Sequence, residues 1–390
     1  MNRSDSGRWL GAYLLPVMGF VLAAVLLTSL SSFVLFIPYY AHALGTPPSE
    51  LLYYGTLLFF SGMPFGKLIG RALRLYRHTV AFTLAGVIII STTIFLMPFA
   101  GSLAILLLFR FIQGSSTVLM EVFSVSYSFI YSRRARALAS TISISGIPAG
   151  VAIGSGITYI FRGGVINSYL TMGALSVLCV FPFLILLNGR PVQPKVEVPG
   201  TTYRRPATWA LAFLWMTIAG FNLVIASILP AYMGMADPSY LPAVMYIFGF
   251  WGAIATVLGG AMAYVLYPRL NGDRSLVLVA TAGYLLSIPG FLIFFFGGGG
   301  TSLMIGMVLI MFETFSISAV YALPRRLYED GMVAKGTWEF GLMGSLGHII
   351  APLVVIPLAI IAGYNETFLF LMAFPVAGSI VMAYLPRLFR

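Results

Sequence analysis

Two glutamates could carry chemistry, because each lies in a long apolar stretch of the sequence. Glu121 begins Glu-Val-Phe-Ser-Val-Ser and Glu313 begins Glu-Thr-Phe-Ser-Ile-Ser, so both copies read Glu-x-Phe-Ser-x-Ser. A carboxylate in hydrocarbon is costly unless it faces protein or water, and it therefore indicates a functional site. We predict that both glutamates, with Ser124 and Ser316, bind protons or solute. The alternative is a structural carboxyl group that is hydrogen-bonded to a neighbouring helix.

The spacing of the two copies indicates an internal duplication. Glu121 and Glu313 are 192 residues apart (313 − 121), and each is followed after the same interval by two arginines. The segment Ile37-Pro38-Tyr39-Tyr40 matches Leu229-Pro230-Ala231-Tyr232 with the same offset (230 − 38). We therefore expect two tandem halves that place the glutamates at equivalent positions.

The composition indicates an integral membrane protein. Of the 390 residues, 59% are hydrophobic and 8% are charged, which leaves too little polar surface for a soluble globule. The apolar runs are about 20 residues or longer, the length of a transmembrane helix, so the fold class is all-α. The net charge of +11 comes from basic residues in short loops, where they act as topology signals rather than as a nucleic-acid surface.

A hydropathy window of about 19 residues predicts twelve spans in two pseudo-symmetric six-helix bundles. The predicted spans are 10–38, 50–71, 79–98, 102–131, 137–161, 168–187, 207–234, 241–266, 275–296, 301–324, 337–362 and 367–385. The N-terminal bundle is expected to cover residues 1–187 and the C-terminal bundle residues 207–390. The polar segment 188–206 is predicted to be a cytoplasmic linker.

Lysines and arginines between the spans fall almost entirely on one side, and only Arg162 lies in a loop on the other side. Because cytoplasmic loops collect basic residues, both termini are expected in the cytoplasm. We expect a multi-pass protein of the plasma membrane that is a monomer. One cysteine and three widely separated histidines offer no metal-ligand spacing and no nucleophile–base pair, so neither a cofactor nor an enzymatic activity is expected.

The fourth predicted span has one polar face. At 100° per residue, Glu121 and Ser124 lie within about 40° of Arg110, and Gln113 lies at about 60°. A rise of about 1.5 Å per residue places Glu121 near the middle of the membrane and Arg110 about 16 Å further out, too far for a direct ion pair. Weaker candidates outside this span are Asn222 and His348, either of which could instead be a hydrogen-bonding group between packed helices.

Two motifs resemble those of the major facilitator superfamily, and the resemblance covers nearly the whole chain. Arg110-Phe111-Ile112-Gln113-Gly114 is similar to the Arg-x-x-Gln-Gly motif of span 4, whose arginine is associated with proton transfer. Ser145-Gly146-Ile147-Pro148-Ala149-Gly150 is similar to the span-5 motif of the family's antiporters, although Ile147 separates glycine from proline. The resemblance implies that spans 1, 4, 7 and 10 line a central cavity with Glu121 and Glu313 on opposing walls.

The family's signature loop between spans 2 and 3 is incomplete in this chain. The segment Gly66-Lys67-Leu68-Ile69-Gly70-Arg71 keeps glycine and arginine but lacks the usual acid. Spans 2 and 11 meet on the inner side of this fold, by family analogy. We therefore predict an inner gate in which Glu339 replaces the missing acid as the partner of Lys67 and Arg71.

The leading functional hypothesis is a proton-coupled secondary transporter of a small organic solute that works by alternating access. Export of a cationic or amphipathic solute is preferred, because two intramembrane acids face one intramembrane base. Uptake of a sugar or of an organic anion bound by Arg110 is an alternative, as is an uncoupled facilitator. A non-transporting receptor or scaffold is the remote alternative, since fold alone does not determine function.

Overall fold

The computed structural model describes residues 3–72, 79–117, 132–161, 164–179, 201–328 and 332–389. Every regular element within these ranges is helical, which confirms the all-α fold class. Two predicted site residues, Glu121 and Ser124, lie outside the described residues, as does the linker as far as residue 200. The backbone of Arg71 lies in the last turn of a described helix that ends at Ala72, whereas its side chain lies outside the described part.

We number the helical segments α1 to α12 by the predicted span to which they belong. In the N-terminal half they are α1, Arg3–Leu35 with the extension Ile37–Leu44; α2, Pro48–Ala72; α3, Thr79–Leu96; α4, Leu103–Ser116; α5, Arg133–Ile144 and Gly146–Ile160; and α6, Val165–Leu178. Pro16 and Pro64 lie inside α1 and α2, where neighbouring helices can satisfy the carbonyl groups that proline leaves free.

The C-terminal half repeats this arrangement with more interruptions. Its segments are α7, Pro206–Trp215, Met216–Asn222 and Leu223–Ala236; α8, Leu241–Tyr246, Ile247–Trp251 and Gly252–Leu266; α9, Asp273–Phe296; α10, Gly300–Ile310, Met311–Ser316 and Ile317–Ala322; α11, Val333–Gly344 and Gly347–Ile361; and α12, Tyr364–Tyr384. Eight helices in the described ranges are long and apolar enough to cross a membrane, and three shorter apolar helices belong to α3, α4 and α6.

Close helix contacts hold each half together. In the N-terminal half α1 packs on α5, α2 on α4 and α3 on α6; in the C-terminal half α9 packs on α10 and α12. A Cβ atom added at Gly114 of α4 would overlap the carbonyl oxygen of Phe59 on α2. Glycine at this position therefore allows the two backbones to touch, as small residues do between membrane helices.

The two halves meet through a small number of helix pairs. The principal contacts join α2 to α11 and α5 to α8. These two pairs are equivalent under the predicted repeat, which relates α2 to α8 and α5 to α11. Further contacts join α5 to α10 and α1 to α7. We call the end of the bundle that carries Lys67, Arg134, Arg205 and Arg269 the basic end. The outer surface is apolar, as the exposed side chains of Ile88 and Leu285 illustrate, and this suits contact with lipid.

Candidate functional site

A buried hydrogen bond joins Asn222 of α7 to Glu313 of α10. The Asn222 Nδ2 group donates to Glu313 Oε2 at 3.1 Å, and the glutamate is only 1% exposed. Its second oxygen, Oε1, has no hydrogen-bond partner among the described residues. The predicted site residues Asn222 and Glu313 therefore lie together, although 91 positions separate them in the sequence.

Both members of this pair lie in irregular helix. α7 widens into a π-helix over Met216–Asn222, and α10 tightens into a 3₁₀-helix over Met311–Ser316. The two segments contact each other. Single turns of π-helix and stretches of 3₁₀-helix inside longer helices often mark functional sites or hinges. The irregular turns therefore coincide with the one carboxyl group that the structure describes in the middle of a span.

Short hydrogen bonds stabilise the irregular turns. Ser316 Oγ donates to the main-chain oxygen of Glu313 at 2.5 Å, so this predicted site residue holds the turn rather than the carboxyl group. The hydroxyl groups of Thr217 and Tyr284 lie 2.9 Å apart and join the π-helix to α9. The first bond satisfies a main-chain carbonyl group within the 3₁₀ turn, and the second attaches the π-helix to a neighbouring helix.

A small cavity lies at the centre of the molecule, between the two halves. Its volume is about 60 Å³, and its walls include Leu27 and Ile147 from the N-terminal half and Trp215 and Phe248 from the C-terminal half. Space on this scale holds a few water molecules rather than an organic solute. Asn222 lines the cavity, whereas Glu313 does not, so the amide lies between the carboxyl group and the cavity.

The ionisable groups that line the described part of this cavity are Lys67 and His348. Lys67 is 3% exposed, and its Nζ atom donates to the carbonyl oxygen of Gly341 at 2.9 Å. The same ammonium lies 5.8 Å from the centre of the Trp215 ring, within cation–π range. The His348 ring stacks on Phe60 at 5.8 Å between centroids. The cavity is therefore apolar with basic groups contributed by both halves.

Arg110 does not line this cavity and instead joins three helices of the N-terminal half. The guanidinium group is fully buried and lies between the rings of Phe33 and Phe59, at 4.3 and 4.4 Å from their centroids. Its acceptors are the carbonyl oxygens of Ser29 and Gly55, at 3.1 and 3.3 Å, and Gln113 Oε1, at 3.0 Å. In this conformation Arg110 and Gln113 thus serve the packing of α1, α2 and α4.

Glu339 was expected to pair with Lys67 and Arg71, and the described contacts of its carboxylate are different. The carboxylate is 1% exposed and accepts hydrogen bonds from the main-chain nitrogen and the hydroxyl of Thr202, at 2.7 and 2.6 Å. The Thr201 hydroxyl adds a weaker contact at 3.3 Å. Helices α2 and α11 do meet, and Lys67 donates to the Gly341 carbonyl there, while Glu339 holds the end of the linker.

A second contact between the halves lies at the basic end. Arg134 of α5 donates to the main-chain carbonyl oxygen of Tyr264 on α8 at 3.1 Å, and its guanidinium group lies 4.0 Å from the centre of the Tyr264 ring. In the sequence, Arg134 counted only as a basic residue that indicates topology. Its position could have singled it out, because it lies at the start of the span that carries the Gly-Pro-rich segment.

The chain belongs to the Major Facilitator Superfamily, because the model of that family matches residues 19–352. Members of this family are membrane transporters that carry small molecules, so the chain is a transporter rather than an enzyme. The fold is similar to the crystal structure of the human organic anion transporter MFSD10 (TETRAN), with a TM-score of 0.63. That alignment has 16% identity and covers 98% of this chain and 100% of the other. No curated protein sequence matches this chain.

Proposed function

We propose that this transporter is proton-coupled, moves a small organic solute by alternating access, and uses Glu313 as a proton carrier. The observation that carries the proposal is the Glu313 carboxyl group, with one oxygen bonded to Asn222 and the other without a partner among the described residues. An ionised carboxylate is costly in such surroundings. A change in the Asn222 contact would therefore alter how readily Glu313 holds a proton. The equivalent Glu121 remains a predicted second carrier.

The proposed cycle begins from a closed arrangement of the two halves. Lys67 and Arg134 connect the halves at the basic end, and the cavity of about 60 Å³ is too small for an organic solute. Solute entry from this end requires both contacts to break as the halves rock apart. We propose that the basic end faces the cytoplasm, since cytoplasmic loops collect lysine and arginine.

The part of the cavity lining that the structure describes favours a largely apolar solute with an anionic group. Lys67 and His348 line the cavity, and Glu313 does not. The earlier preference for a cationic solute depended on Glu121 and Glu313 facing the cavity together. Solute export is compatible with either charge. The likeness to a protein described as an organic anion transporter agrees with an anionic solute, although at 16% identity it shows the fold alone.

Transport by purified protein in liposomes tests this proposal. A panel of aromatic and aliphatic monocarboxylates and a matched panel of amines would be offered with and without an imposed proton gradient. We expect accumulation of at least one carboxylate that depends on the gradient, and its loss in Lys67→Gln. Accumulation of amines alone would favour the cationic alternative. Solute movement that ignores the proton gradient would support an uncoupled facilitator.

A further inference from the structure

A second and larger concavity lies on the outer surface, between the two halves. It has a volume of about 570 Å³ and runs between α2 and α11. Phe65 and Leu68 form one wall and Leu342 and Leu346 form the other, while Phe111 of α4 and Trp209 of α7 complete the lining. We call this concavity the α2–α11 groove. Its size is that of a small-ligand site, although it opens sideways instead of into the central cavity.

The groove opens toward the hydrocarbon of the bilayer. Leu68, Leu346 and Trp209 line it and keep 53, 50 and 58% of their surface exposed. In a membrane protein such side chains face lipid, so an occupant must come from the bilayer. An acyl chain fits an apolar groove of this kind because lipid tails and aliphatic side chains are equally apolar.

One end of the groove is polar and fixed in position. Tyr203 lines the groove, and its carbonyl oxygen accepts a hydrogen bond from the indole nitrogen of Trp209 at 2.8 Å. The Glu339 carboxylate fixes the preceding Thr202 through two short hydrogen bonds. Tyrosine and tryptophan are typical of the membrane interface, where an apolar ring meets the lipid headgroups.

Two arginines follow Tyr203 directly and supply positive charge at this end. Arg205 donates to the carbonyl oxygen of Leu327 at 2.7 Å, which anchors the segment to the C-terminal half. Arg204 is exposed and makes no hydrogen bond or ion pair with the residues that the structure describes. Arg204 does not line the groove, but it is the residue next to the groove-lining Tyr203, and an exposed guanidinium group at the membrane interface is complementary to a phosphate headgroup.

We propose that the α2–α11 groove binds one anionic phospholipid, with an acyl chain between α2 and α11 and the phosphate at Arg204. Lining residues from both halves of the protein flank the acyl chain. The lipid therefore contacts the two halves that must move apart during transport. A ligand that prefers one arrangement of two bodies shifts the equilibrium toward it. Bound lipid would therefore favour the conformation in which Lys67 reaches Gly341.

The test measures lipid binding by the full-length protein after delipidation in detergent. Dioleoyl phosphatidylglycerol and dioleoyl phosphatidylcholine are titrated separately, and bound lipid is counted by native mass spectrometry. We expect one retained phosphatidylglycerol and a preference over phosphatidylcholine of about fivefold, the effect of one arginine near an anionic headgroup. Equal retention of both lipids would overturn the assignment of the phosphate to Arg204.

Two pairs of variants locate the bound lipid. Leu346→Trp fills the groove, and Leu285→Trp adds the same ring at a lipid-facing position of α9 with similar exposure, 53% against 50%. Arg204→Gln removes the proposed phosphate contact, and Arg269→Gln neutralises an exposed arginine elsewhere at the basic end. We expect loss of the retained lipid in Leu346→Trp and loss of the headgroup preference in Arg204→Gln. Both controls should behave as the unmodified protein.

Each outcome is measured as the amount of bound lipid and not as transport. A negative result would therefore refute the lipid site without refuting the proposed transport function. Should Leu346→Trp fold poorly, Leu68→Trp fills the groove from the opposite wall and gives the same readout. A groove-filled variant that still retains one phosphatidylglycerol would overturn the proposal. Retention of the transported solute instead of lipid, lost in the same variants, would identify the groove as a solute site and would also overturn it.

Discussion

The side-chain amide of Asn222 lies 3.1 Å from Glu313 Oε2, and this hydrogen bond connects the π-helical turn of α7 with the 3₁₀ turn of α10. The amide also lines the central cavity, and the carboxyl group does not. Whatever occupies the cavity can therefore act on Glu313 through Asn222. Irregular turns on both sides of the bond have fewer regular helix hydrogen bonds to break when the contact rearranges.

Glu313→Gln should leave the protein folded and abolish proton-driven accumulation, while exchange of solute is retained. Glutamine keeps the size and the hydrogen bond to Asn222 but cannot carry a proton. The measurement compares uptake against a gradient with exchange at equal solute on both sides, in liposomes. Glu366→Gln, an exposed glutamate at the start of α12, is the matched control. Undiminished accumulation in Glu313→Gln would remove Glu313 from the coupling mechanism.

Asn222→Ala should impair coupling to the same degree as Glu313→Gln, because Asn222 acts through the carboxyl group. The double variant should then be no worse than either single variant, the non-additivity expected of two groups in one unit. Initial rates of proton-driven uptake in all three variants provide the measurement. The control is Thr217→Val, a change in the same π-helix as Asn222 that breaks the contact with Tyr284 of α9. Strictly additive losses would mean that the two residues work independently.

Arg110→Lys should reduce transport strongly and lower the melting temperature. Lysine cannot supply a planar group to three acceptors on three helices, and it cannot stack in the same way between Phe33 and Phe59. Lost hydrogen bonds to a buried charged group cost about 1–3 kcal/mol. Thermal unfolding in detergent and uptake at equal protein content provide the measurements. Arg269→Lys at the surface should change neither, and a fully active Arg110→Lys would refute the packing role.

Gly114→Ala should destabilise the N-terminal half, because the new Cβ atom would overlap the carbonyl oxygen of Phe59. Forced overpacking typically costs about 1–3 kcal/mol. Gly234→Ala adds the same methyl group in α7, where no atom lies within 4 Å, and should be neutral or mildly stabilising. Melting temperatures of the two variants in detergent decide the matter. Equal stability would mean that α2 and α4 separate easily.

Glu339→Gln should release the end of the linker and speed tryptic cleavage after Arg204, whereas the bond after Arg205 precedes Pro206 and resists trypsin. Both short hydrogen bonds from Thr202 end on Glu339 Oε2, and glutamine lacks the negative charge that strengthens them and the second acceptor oxygen that the Thr201 hydroxyl contacts. The rate of cleavage after Arg204, followed by mass spectrometry, should rise several-fold. Glu366→Gln again provides the control. An unchanged rate would show that Arg205 and Leu327 hold the segment without Glu339.

Much of the fold could be predicted from the sequence, because the length of an apolar run has a direct physical meaning in a bilayer. The importance of Glu313 followed from the cost of placing a carboxylate in an apolar span. Its partner Asn222 was only one of several polar candidates, since hydrogen bonding across 91 positions depends on how α7 and α10 pack. The irregular turns in these helices had no periodic signal either.

The predicted inner gate illustrates which contacts a sequence pattern cannot specify. Lys67 lies at the contact between α2 and α11, because the segment from Gly66 to Arg71 belongs to the part of α2 that packs there. Its described acceptor is a carbonyl group, which every residue carries, and no sequence pattern distinguishes one carbonyl from another. The Thr201 and Thr202 contacts of Glu339 were missed for a related reason. Hydroxyl groups in a polar linker are common and predict no particular partner.

The two described contacts that close the basic end share one property, since Lys67 and Arg134 both donate to main-chain oxygens, those of Gly341 and Tyr264. A substitution at the acceptor position leaves its carbonyl group in place. In a set of related sequences, a contact between two side chains is usually recognised because the two residues change together. The two hydrogen bonds require no such exchange. Covariation methods would therefore overlook these hydrogen bonds, in contrast to the ring contacts of the same cations with Trp215 and Tyr264, and selection for suppressors of Lys67 variants should yield changes elsewhere than at Gly341.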